Sequence, residues 1–426
     1  MRPPFHVSVH SRRSRPEGAL SESLVAAYDG LTEDVYEDPG SFRPSASSQS
    51  WAKRPKVTRS RVMFLYLGSG GGFGQFTRQL VETVGELENF EATIAVASAN
   101  RATPGLRALS DAVVQLPSGK DRSLFSIFAN FWQARQQLLA RLAEARPAAV
   151  VALMPHVWTP LLAPAVKQLG IRYISIAHDA VAHPGDPTGI LTPWLLRDAE
   201  AADLVVTLSR SVADRIVRDG HATADRVVSL FHPDLNHGVA TVRRRDPEAP
   251  LRLLFFGRIL KYQGLPVLIA AIERLRAEGL DIRLGVAGQG NLDGMQSRLT
   301  ALGAEVINRW IDDEEVGPLL ARYDAIALSH VEASQSGVAA MAFGHSIPVV
   351  GMPVGGLVEQ IVDGRTGVLG GEATAKALAA GIRRLATDAA LYDGISAHLH
   401  TSAGERSMAR FVGSLMTELD RRFAGR

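Results

Sequence analysis

Apolar runs of strand length alternate with longer amphipathic stretches along most of the chain. The runs that predict buried strands are residues 61–67, 92–98, 149–154, 172–177, 204–209, 226–231, 251–257, 281–288, 304–309, 324–329 and 347–351. Between them, apolar residues at helical spacing predict helices over 75–87, 124–145, 264–278, 291–302, 313–322 and 403–424. Strands separated by helices favour parallel, doubly wound sheets.

A polar, charged and proline-containing break, residues 239–250, divides this pattern in two. We therefore predict an α/β protein with two Rossmann-like domains, residues 59–238 and 251–402, that face each other across a cleft. In such open sheets, ligands bind beyond the carboxyl ends of the strands. The last segment, 403–426, is predicted to be an amphipathic helix that either closes the second domain or crosses back to the first.

Residues 1–58 are rich in Ser, Pro and Arg and lack sustained apolar periodicity, which predicts a disordered N-terminal extension. A solvated tail is the favoured interpretation, and a basic arm that contacts anionic lipid is the alternative. The first thirty residues contain no apolar h-region of a secretory signal peptide. Prolines interrupt the most apolar stretch, residues 147–166, which makes it a poor membrane span. We expect a cytoplasmic protein, with peripheral contact at the inner face of the membrane as a further hypothesis.

Composition excludes several classes of function. A chain of 426 residues is longer than a domain with a single hydrophobic core usually is, which agrees with two domains. The net charge is +2, from 46 Lys and Arg against 44 Asp and Glu, and it gives no support for a nucleic-acid partner. Cysteine is absent, so disulfides and thiolate metal sites are excluded.

The run 324–364 carries the strongest chemical signal. Glu332 follows a buried strand, and Gly337 then opens a helix whose free N–H groups could hold an anion. A second loop of this kind, residues 353–356, follows the next strand and precedes Glu359. Amides that bind phosphate beside an acid predict a nucleotide-diphosphate substrate with chemistry at its far end.

A glycine-rich loop, residues 67–77, joins the first predicted strand to the first predicted helix and contains Gly71 and Gly72. A dinucleotide-binding fingerprint is one interpretation, but no acid follows the next strand to bind a ribose. A structural turn is another. We favour close approach of a ligand to the glycine backbone.

A pair of cations, Arg258 and Lys261, follows a later strand and lies between Gly257 and Gly264. Arg offers a fork to phosphate oxygens, and Lys offers a compact charge. A charged pair after a strand often lies in a solvated turn without a function, but the flanking glycines favour a role in ligand binding.

Two histidines occur in HDAVAHPGD, residues 178–186. His178 follows a predicted strand and should face the cleft, either as a hydrogen-bonded loop histidine or as a contact to a sugar or acceptor hydroxyl. No tight ligand triad forms with Asp179 and His183, so we predict no metal. His156 is a weaker candidate of the same kind.

Together, FGRILKYQGLPVLIAA, VAGQGNL and the run from NRWIDDEE to DGRTGVL resemble the donor-binding half of a family 4 glycosyltransferase. The resemblance is close over residues 251–370 and extends to 61–235 only in pattern. It implies the GT-B fold and retaining transfer of a sugar, with a hexose expected, from a nucleotide-diphosphate sugar without a cofactor. The implied acceptor is a glycan or a lipid-linked molecule, in the synthesis of surface polysaccharide or glycoconjugate.

The resemblance also implies roles for individual residues. Glu332 would contact the transferred sugar, and with His178 it forms our candidate catalytic pair. The resemblance places diphosphate, base and loop contacts to the donor on Gly71, Gly72, Arg258, Trp310, Ser336, Gly337 and Val338. Lys261 joins these candidates because of its position beside Arg258.

Two positions depart from the family pattern. The second acid of the Glu-x7-Glu element is replaced by Ala340, after a Ser-Gln-Ser-Gly variant of the donor loop. The usual lysine is replaced by Gln263, and Lys261 could substitute for it. These departures keep a non-catalytic nucleotide-sugar-binding protein open as an alternative, beside a GT-B nucleotide-sugar epimerase. A Rossmann oxidoreductase is disfavoured because the ribose-binding acid is missing.

Overall fold

The structure of the protein, a computed structural model, is built on two parallel β-sheets. The structure describes residues 60–68, 73–86, 90–100, 103–109, 113–118, 124–183, 185 and 187–423. The predicted N-terminal extension and the candidates Gly71 and Gly72 lie outside these residues. Both sheets belong to one compact unit, Val57–Arg426.

The first sheet is built from β1 (Ser60–Tyr66), β2 (Phe90–Ala97), β3 (Val113–Leu116), β4 (Ala149–Ala152), β5 (Arg172–Ala177), β6 (Leu204–Thr207) and β7 (Val227–Ser229). The helices of this half are α1 (Phe73–Glu86), α2 (Thr103–Leu109), α3 (Leu124–Ala145), α4 (Thr159–Gln168), α5 (Thr192–Ala201) and α6 (Arg210–Arg218). Over the described ranges the strands are parallel, in the order β3-β2-β1-β4-β5-β6-β7.

The second sheet is built from β8 (Leu251–Phe256), β9 (Ile282–Ala287), β10 (Glu305–Ile307), β11 (Ala325–Leu328), β12 (Val349–Gly351) and β13 (Gly367–Leu369). The helices that follow in the chain are α7 (Leu265–Ala277), α8 (Gln296–Ala301), α9 (Asp313–Ala321), α10 (Gly337–Gly344), α11 (Leu357–Gln360), α12 (Ala375–Thr387), α13 (Ala389–Thr401) and α14 (Met408–Phe423). Within the part of the chain that is described, its strands are parallel in the order β10-β9-β8-β11-β12-β13.

Continuous apolar runs explain why these strands lie at the centre of their sheets. Every residue of β4, β6 and β11 is buried, because helices cover both faces of a doubly wound sheet. The predicted α/β class with two parallel sheets is thus confirmed. Among the helices given above, none combines the length and the apolar character that a membrane-spanning helix needs.

The predicted helix over 291–302 is wrong in its first half. The Asn291 side-chain oxygen accepts the N–H of Asp293 at 2.7 Å, and Gly294 has a φ of +74°. This local turn competes with helical hydrogen bonding, so α8 begins only at Gln296.

The chain passes between the two sheets near Asp234 and again near Arg406. The Asp234 N–H donates to the Arg406 carbonyl at 2.8 Å, and the Arg406 Nε donates to the Asp234 carboxylate at 3.0 Å. Beyond this point α14 packs on α1, where the rings of Phe411 and Phe76 lie 5.7 Å apart. The C-terminal helix therefore contacts the first half of the molecule.

The polar break predicted as a linker is fastened to the second half. The Arg243 N–H donates to Ser396 Oγ at 2.8 Å, and its guanidinium donates to the Tyr323 carbonyl at 2.9 Å. This segment is consequently a strap along the helices of the second half.

Each sheet has a point at which the strand order reverses. In the first sheet it lies between β1 and β4, and in the second between β8 and β11. Ligand crevices of open α/β sheets occur beyond the carboxyl ends of the strands at such points. The loops after β8 and β11 carry Arg258 and Glu332, so both candidate residues lie at the reversal point of the second sheet.

Candidate functional site

Backbone hydrogen bonds join the loops at the carboxyl end of the second sheet. The Gly257 N–H donates to the Ala287 carbonyl at 3.0 Å, which links the loops after β8 and β9. The Val331 N–H donates to the Tyr262 carbonyl at 2.8 Å, which links the loop after β11 to the 3-10 turn Lys261–Gln263. The candidate residues on these loops therefore share one connected surface.

Gly264 lets the loop after β8 lie directly on the loop after β11. Its φ is +69°, and a Cβ there would lie 1.9 Å from the Ser329 carbonyl oxygen. Only glycine combines this backbone conformation with so close an approach. The sequence favoured a ligand beside Gly264, but the close contact of this glycine is with the Ser329 backbone, so it packs the two loops together.

Gly264→Ala should lower the free energy of unfolding by about 3 kcal/mol or more, because left-handed strain and a clash with backbone act together. Gly279→Ala is the matched control, since Gly279 has a φ of +83° and no described atom within 4 Å of its added Cβ. The control should cost about 1 kcal/mol. Urea unfolding of both variants measures this, and equal losses would contradict it.

Glu332 and the start of α10 belong to the same loop. The Glu332 side chain is 42% exposed, so a ligand can reach its carboxylate. Ser336 caps α10, and its hydroxyl accepts the Ala339 N–H at 3.2 Å. The N–H groups of Gly337 and Val338 belong to the first turn and have no carbonyl partner within the helix. Their contact with an anion stays a prediction.

Ser336 itself differs from the prediction. Its N–H donates to Gln360 Oε1 at 2.7 Å, and its carbonyl accepts from Gln360 Nε2 at 3.2 Å. The Ser336 amide is therefore already paired, and the residue positions α10 instead of donating to phosphate. The sequence gives little sign of this pairing, because Gln360 lies on another element, α11.

The second loop predicted to bind an anion, residues 353–356, serves a structural purpose. The Gly356 N–H donates to the Ala333 carbonyl at 2.9 Å. The Glu359 carboxylate accepts the N–H groups of Arg210 and Ser211 at 2.7 and 2.8 Å. Glu359 thus binds the first turn of α6, where a negative charge is favourable. It connects the two halves and does not face a ligand.

Arg258 lies directly beyond β8 and is exposed. Its Nη2 donates to Tyr262 Oη at 3.4 Å, and the Tyr262 ring is buried. Sequence reasoning missed Tyr262, which resembles an ordinary core aromatic within its run. Its hydroxyl therefore restrains the Arg258 guanidinium.

The neighbouring Lys261 and Gln263 point to different places. A Cβ at Gly185 would lie 3.1 Å from Lys261 Cβ, so the lysine stem borders the loop after β5. A Cβ at Gly257 would lie 3.5 Å from Gln263 Nε2 and 3.6 Å from Val338 Cγ2. The buried Gln263 amide therefore borders the first turn of α10, and its Oε1 has no hydrogen-bond partner among the described atoms.

Trp310 lies in the segment between β10 and α9 and is half-buried. Arg309 fixes this segment, since its guanidinium donates to the Trp310 carbonyl at 2.9 Å and to the Glu315 carboxylate at 2.6 Å. Ile311 beside it is buried. The segment is held in place at the edge of the second sheet, and its predicted contact with a base stays a prediction.

Ala340 occupies the second turn of α10 and is 1% exposed. Its carbonyl accepts the Leu235 N–H at 3.1 Å, so this part of α10 packs against the chain between the two sheets. A ribose contact from this position is absent, because the side chain is a buried methyl group.

His178 is buried at the end of β5. Its Nε2 donates to the Leu153 carbonyl at 2.8 Å, and its ring meets the edge of Phe73 at 4.5 Å. Burial lowers the pKa of His178, although the bond to Leu153 opposes that shift. The imidazole is accordingly neutral near pH 7, with Nδ1 as an acceptor for a ligand hydroxyl.

His183 lies farther along the same loop and contacts the second half of the molecule. Its Nε2 is 2.9 Å from Asp179 Oδ1 and 3.3 Å from Ser334 Oγ, and its Nδ1 is 3.8 Å from Glu332 Oε1. The ring stacks on Tyr262 at 4.7 Å. Sequence reasoning considered this histidine only for a metal, because its partners lie on the other sheet.

A further bond joins the halves beside this histidine. Ser209 Oγ donates to the Ser334 carbonyl at 2.8 Å. The loops after β5 and β6 therefore both contact the loop that carries Glu332. The first half thus reaches the Glu332 loop through His183 and Ser209, whereas the contacts of His178 given above lie within the first half.

Buried histidines near the site predict a loss of stability in acid. Burial lowers the pKa of His232, His330 and His345 to about 4 each. The unfolded chain takes up these protons near pH 6.5, so each group stabilises the fold above that pH and loses this contribution as pH falls toward 4, by up to about 1.4 kcal/mol per pH unit. Asp234 acts in the opposite sense, because burial raises its pKa to about 7 against the charge of Arg406.

The net expectation is that the free energy of unfolding falls between pH 7 and pH 5. Urea unfolding at both values measures it. His330→Gln should flatten the dependence by removing one of the three histidines. Stability that stays constant or rises toward pH 5 would contradict this prediction.

Residues 250–388 match the family model described as Glycosyl transferases group 1. The matched segment contains the second sheet and the loops with Arg258 and Glu332. It includes the first turn of α10 as well. The comparison thus covers the half of the molecule in which the anion-binding features lie.

Two curated relatives match over part of the chain. Glycogen synthase of Mycobacterium tuberculosis is 30% identical over 237 residues, which are 50% of this chain and 54% of that protein. D-inositol 3-phosphate glycosyltransferase of an Arthrobacter species is 30% identical over 183 residues, which are 37% of this chain and 44% of that protein. The chain spans about half the length of these relatives.

A solved structure, HepE of Anabaena in complex with UDP and glucose, superimposes with a TM-score of 0.64. Its sequence identity is 15%, and the match covers 84% of this chain and 98% of that one. At this identity the similarity shows the fold alone. The predicted GT-B fold is confirmed.

Proposed function

We propose that the protein is a retaining glycosyltransferase of family 4, which moves a sugar from a nucleotide-diphosphate sugar to a hydroxyl acceptor. The observation that carries the proposal is the loop after β11. It places the accessible Glu332 carboxylate on the same short segment as the open first turn of α10. An acid for the sugar and amides for the phosphate are thereby held on one loop, five residues apart in the sequence.

The diphosphate is the leaving group, and its negative charge grows as the bond to the anomeric carbon breaks. Donors that already point at that position stabilise the transition state without reorganisation. The N–H groups of Gly337 and Val338 and the guanidinium of Arg258 supply this field. Gln263 adds a neutral amide beside them, where the resemblance leads one to expect a lysine.

Glu332 orients the sugar by accepting from its hydroxyls. The acceptor hydroxyl attacks from the face that the diphosphate leaves, and the departing phosphate takes its proton, so configuration is retained. His178 offers Nδ1 to a hydroxyl of the sugar or the acceptor. It contacts the substrate in its neutral form, since burial lowers its pKa.

The acceptor is proposed to be a glycan or a lipid-linked molecule, reached from the first half of the molecule. The names of the two relatives refer to different molecules, glycogen and D-inositol 3-phosphate. Their overlap with this chain therefore leaves the acceptor open to experiment. Contact with the inner face of the membrane would suit a lipid-linked acceptor.

Gln263→Lys should raise the turnover number about tenfold, because it adds a cation beside the leaving phosphate. Lys261→Gln should lower the turnover number less than threefold, since the stem of this side chain borders Gly185 in the loop after β5. Initial rates with a saturating nucleotide sugar measure both. A large loss in Lys261→Gln with no gain in Gln263→Lys would show that Lys261 is the phosphate ligand.

The proposed function is tested with the purified full chain and a panel of UDP-, ADP- and GDP-sugars. Thermal shift identifies the donor that binds, and product analysis then follows a label in its sugar. Transfer or slow hydrolysis with release of the nucleoside diphosphate supports the proposal. An epimerised nucleotide sugar would indicate an epimerase, and binding without any turnover would indicate a non-catalytic binding protein.

A further inference from the structure

His183 holds a central position between the two halves of the molecule. The loop after β5 carries it, yet its neighbours Tyr262, Glu332 and Ser334 all belong to the second half. Its side chain is only 10% exposed, so these contacts form a buried junction and not a surface encounter.

The two ring nitrogens of His183 face different carboxylates. Nε2 lies 2.9 Å from Asp179 of its own loop, and a nitrogen bonded to a carboxylate carries a proton. This bond fixes the ring, so that Nδ1 faces Glu332 Oε1 at 3.8 Å. Asp179 orients the histidine, and the histidine in turn faces the acid proposed to contact the sugar.

The ring face reaches the phosphate side of the site. It stacks on Tyr262 with an interplanar angle of 25°, and the Tyr262 hydroxyl accepts from Arg258. The Tyr262 carbonyl also accepts the Val331 N–H, directly before Glu332. One side chain of the first half therefore touches the supports of both Arg258 and Glu332.

We infer that His183 is a positioning residue, which holds Glu332 and the Tyr262–Arg258 pair in place when the loop after β5 lies against the second sheet. The inference rests on the proposed function, since it concerns the same donor site. On this inference, Glu332 is oriented to contact the sugar only when the two halves are in contact. A donor that is bound while they are apart would lack an oriented acid.

Two substitutions separate the polar contacts from the stacking. His183→Phe keeps an aromatic ring on Tyr262 and removes the bonds to Asp179 and Ser334. His183→Gln keeps an amide near these partners and removes the ring. His221→Phe is the matched control, because His221 makes a similar 2.9 Å contact to Glu200 outside the site.

Kinetics with the donor found in the panel should show a loss in turnover and not in binding. His183→Phe should lower kcat on the order of tenfold to a hundredfold, as expected for a displaced catalytic group. The affinity for the matching nucleoside diphosphate should change less than twofold, because that ligand has no sugar to orient. His183→Gln should recover at least part of the loss, and His221→Phe should match the wild type.

Hydrogen exchange provides a test that needs no turnover. The Val331 amide and the amides around Glu332 should exchange at least fivefold faster in His183→Phe than in His221→Phe. If kcat and exchange are the same in both variants, the inference is wrong. If the wild type transfers no sugar but His183 still protects these amides, the positioning role stands and the proposed function fails.

Discussion

Glu332→Gln should lower the rate of sugar transfer on the order of a hundredfold while the protein remains folded. The exchange is isosteric, and the Glu332 carboxylate is 42% exposed, so its loss leaves no unpaired charge in the core. A neutral amide accepts sugar hydroxyls more weakly and cannot stabilise positive charge near the anomeric carbon. Steady-state kinetics with the identified donor measure the effect.

The control for this variant is Glu248→Gln, the same substitution at an exposed acid of the strap between the sheets. It should leave kcat within twofold of the wild type. Affinity for the nucleoside diphosphate should be unchanged in both variants. Full transfer activity in Glu332→Gln would remove this residue from the site.

Arg258→Ala should have the second large effect, a loss in kcat/KM on the order of a hundredfold to a thousandfold, the range found when a preorganised donor to a developing anion is removed. Both the donor and the free nucleoside diphosphate should bind more weakly, because the phosphate contact is lost in each. This pattern differs from that of Glu332→Gln, in which diphosphate affinity is kept.

Arg258→Lys and Arg283→Ala complete the comparison. Lysine supplies charge without the bidentate fork, so it should recover only part of the activity. Arg283 is an exposed arginine near the amino end of β9, on the far side of the sheet from the loops, and its removal should have little effect. Equal activity in Arg258→Ala and Arg283→Ala would contradict the phosphate role.

The sequence predicted the sheets well because their strands are continuous apolar runs. The run 172–177 predicts β5 with both ends correct, and the run 124–145 does the same for α3. The sequence did not predict the short strands β3 and β13, because 4 and 3 residues are too few to show a clear hydrophobic pattern. Local polar turns, as at Asn291, also shifted a helix start.

The sequence could place a site residue only where that residue directly follows a predicted strand. Arg258 and Glu332 follow strands, so their place at the carboxyl edge of the sheet was predictable. The partners of Ser336 and Glu359 were not, since Gln360 is 24 residues from Ser336 and Arg210 is 149 residues from Glu359. Such contacts depend on how loops of different strands pack, which no local pattern records.

The most direct measurement follows a nucleotide sugar with ¹³C at the anomeric carbon by NMR, in the presence of the purified full chain. Sugar transfer predicts that the donor signal disappears as nucleoside diphosphate is released in equal amount, and that the new anomeric signal has the configuration of the donor. Persistence of the donor signal despite saturating binding, with Glu332→Gln indistinguishable from the wild type, would contradict it.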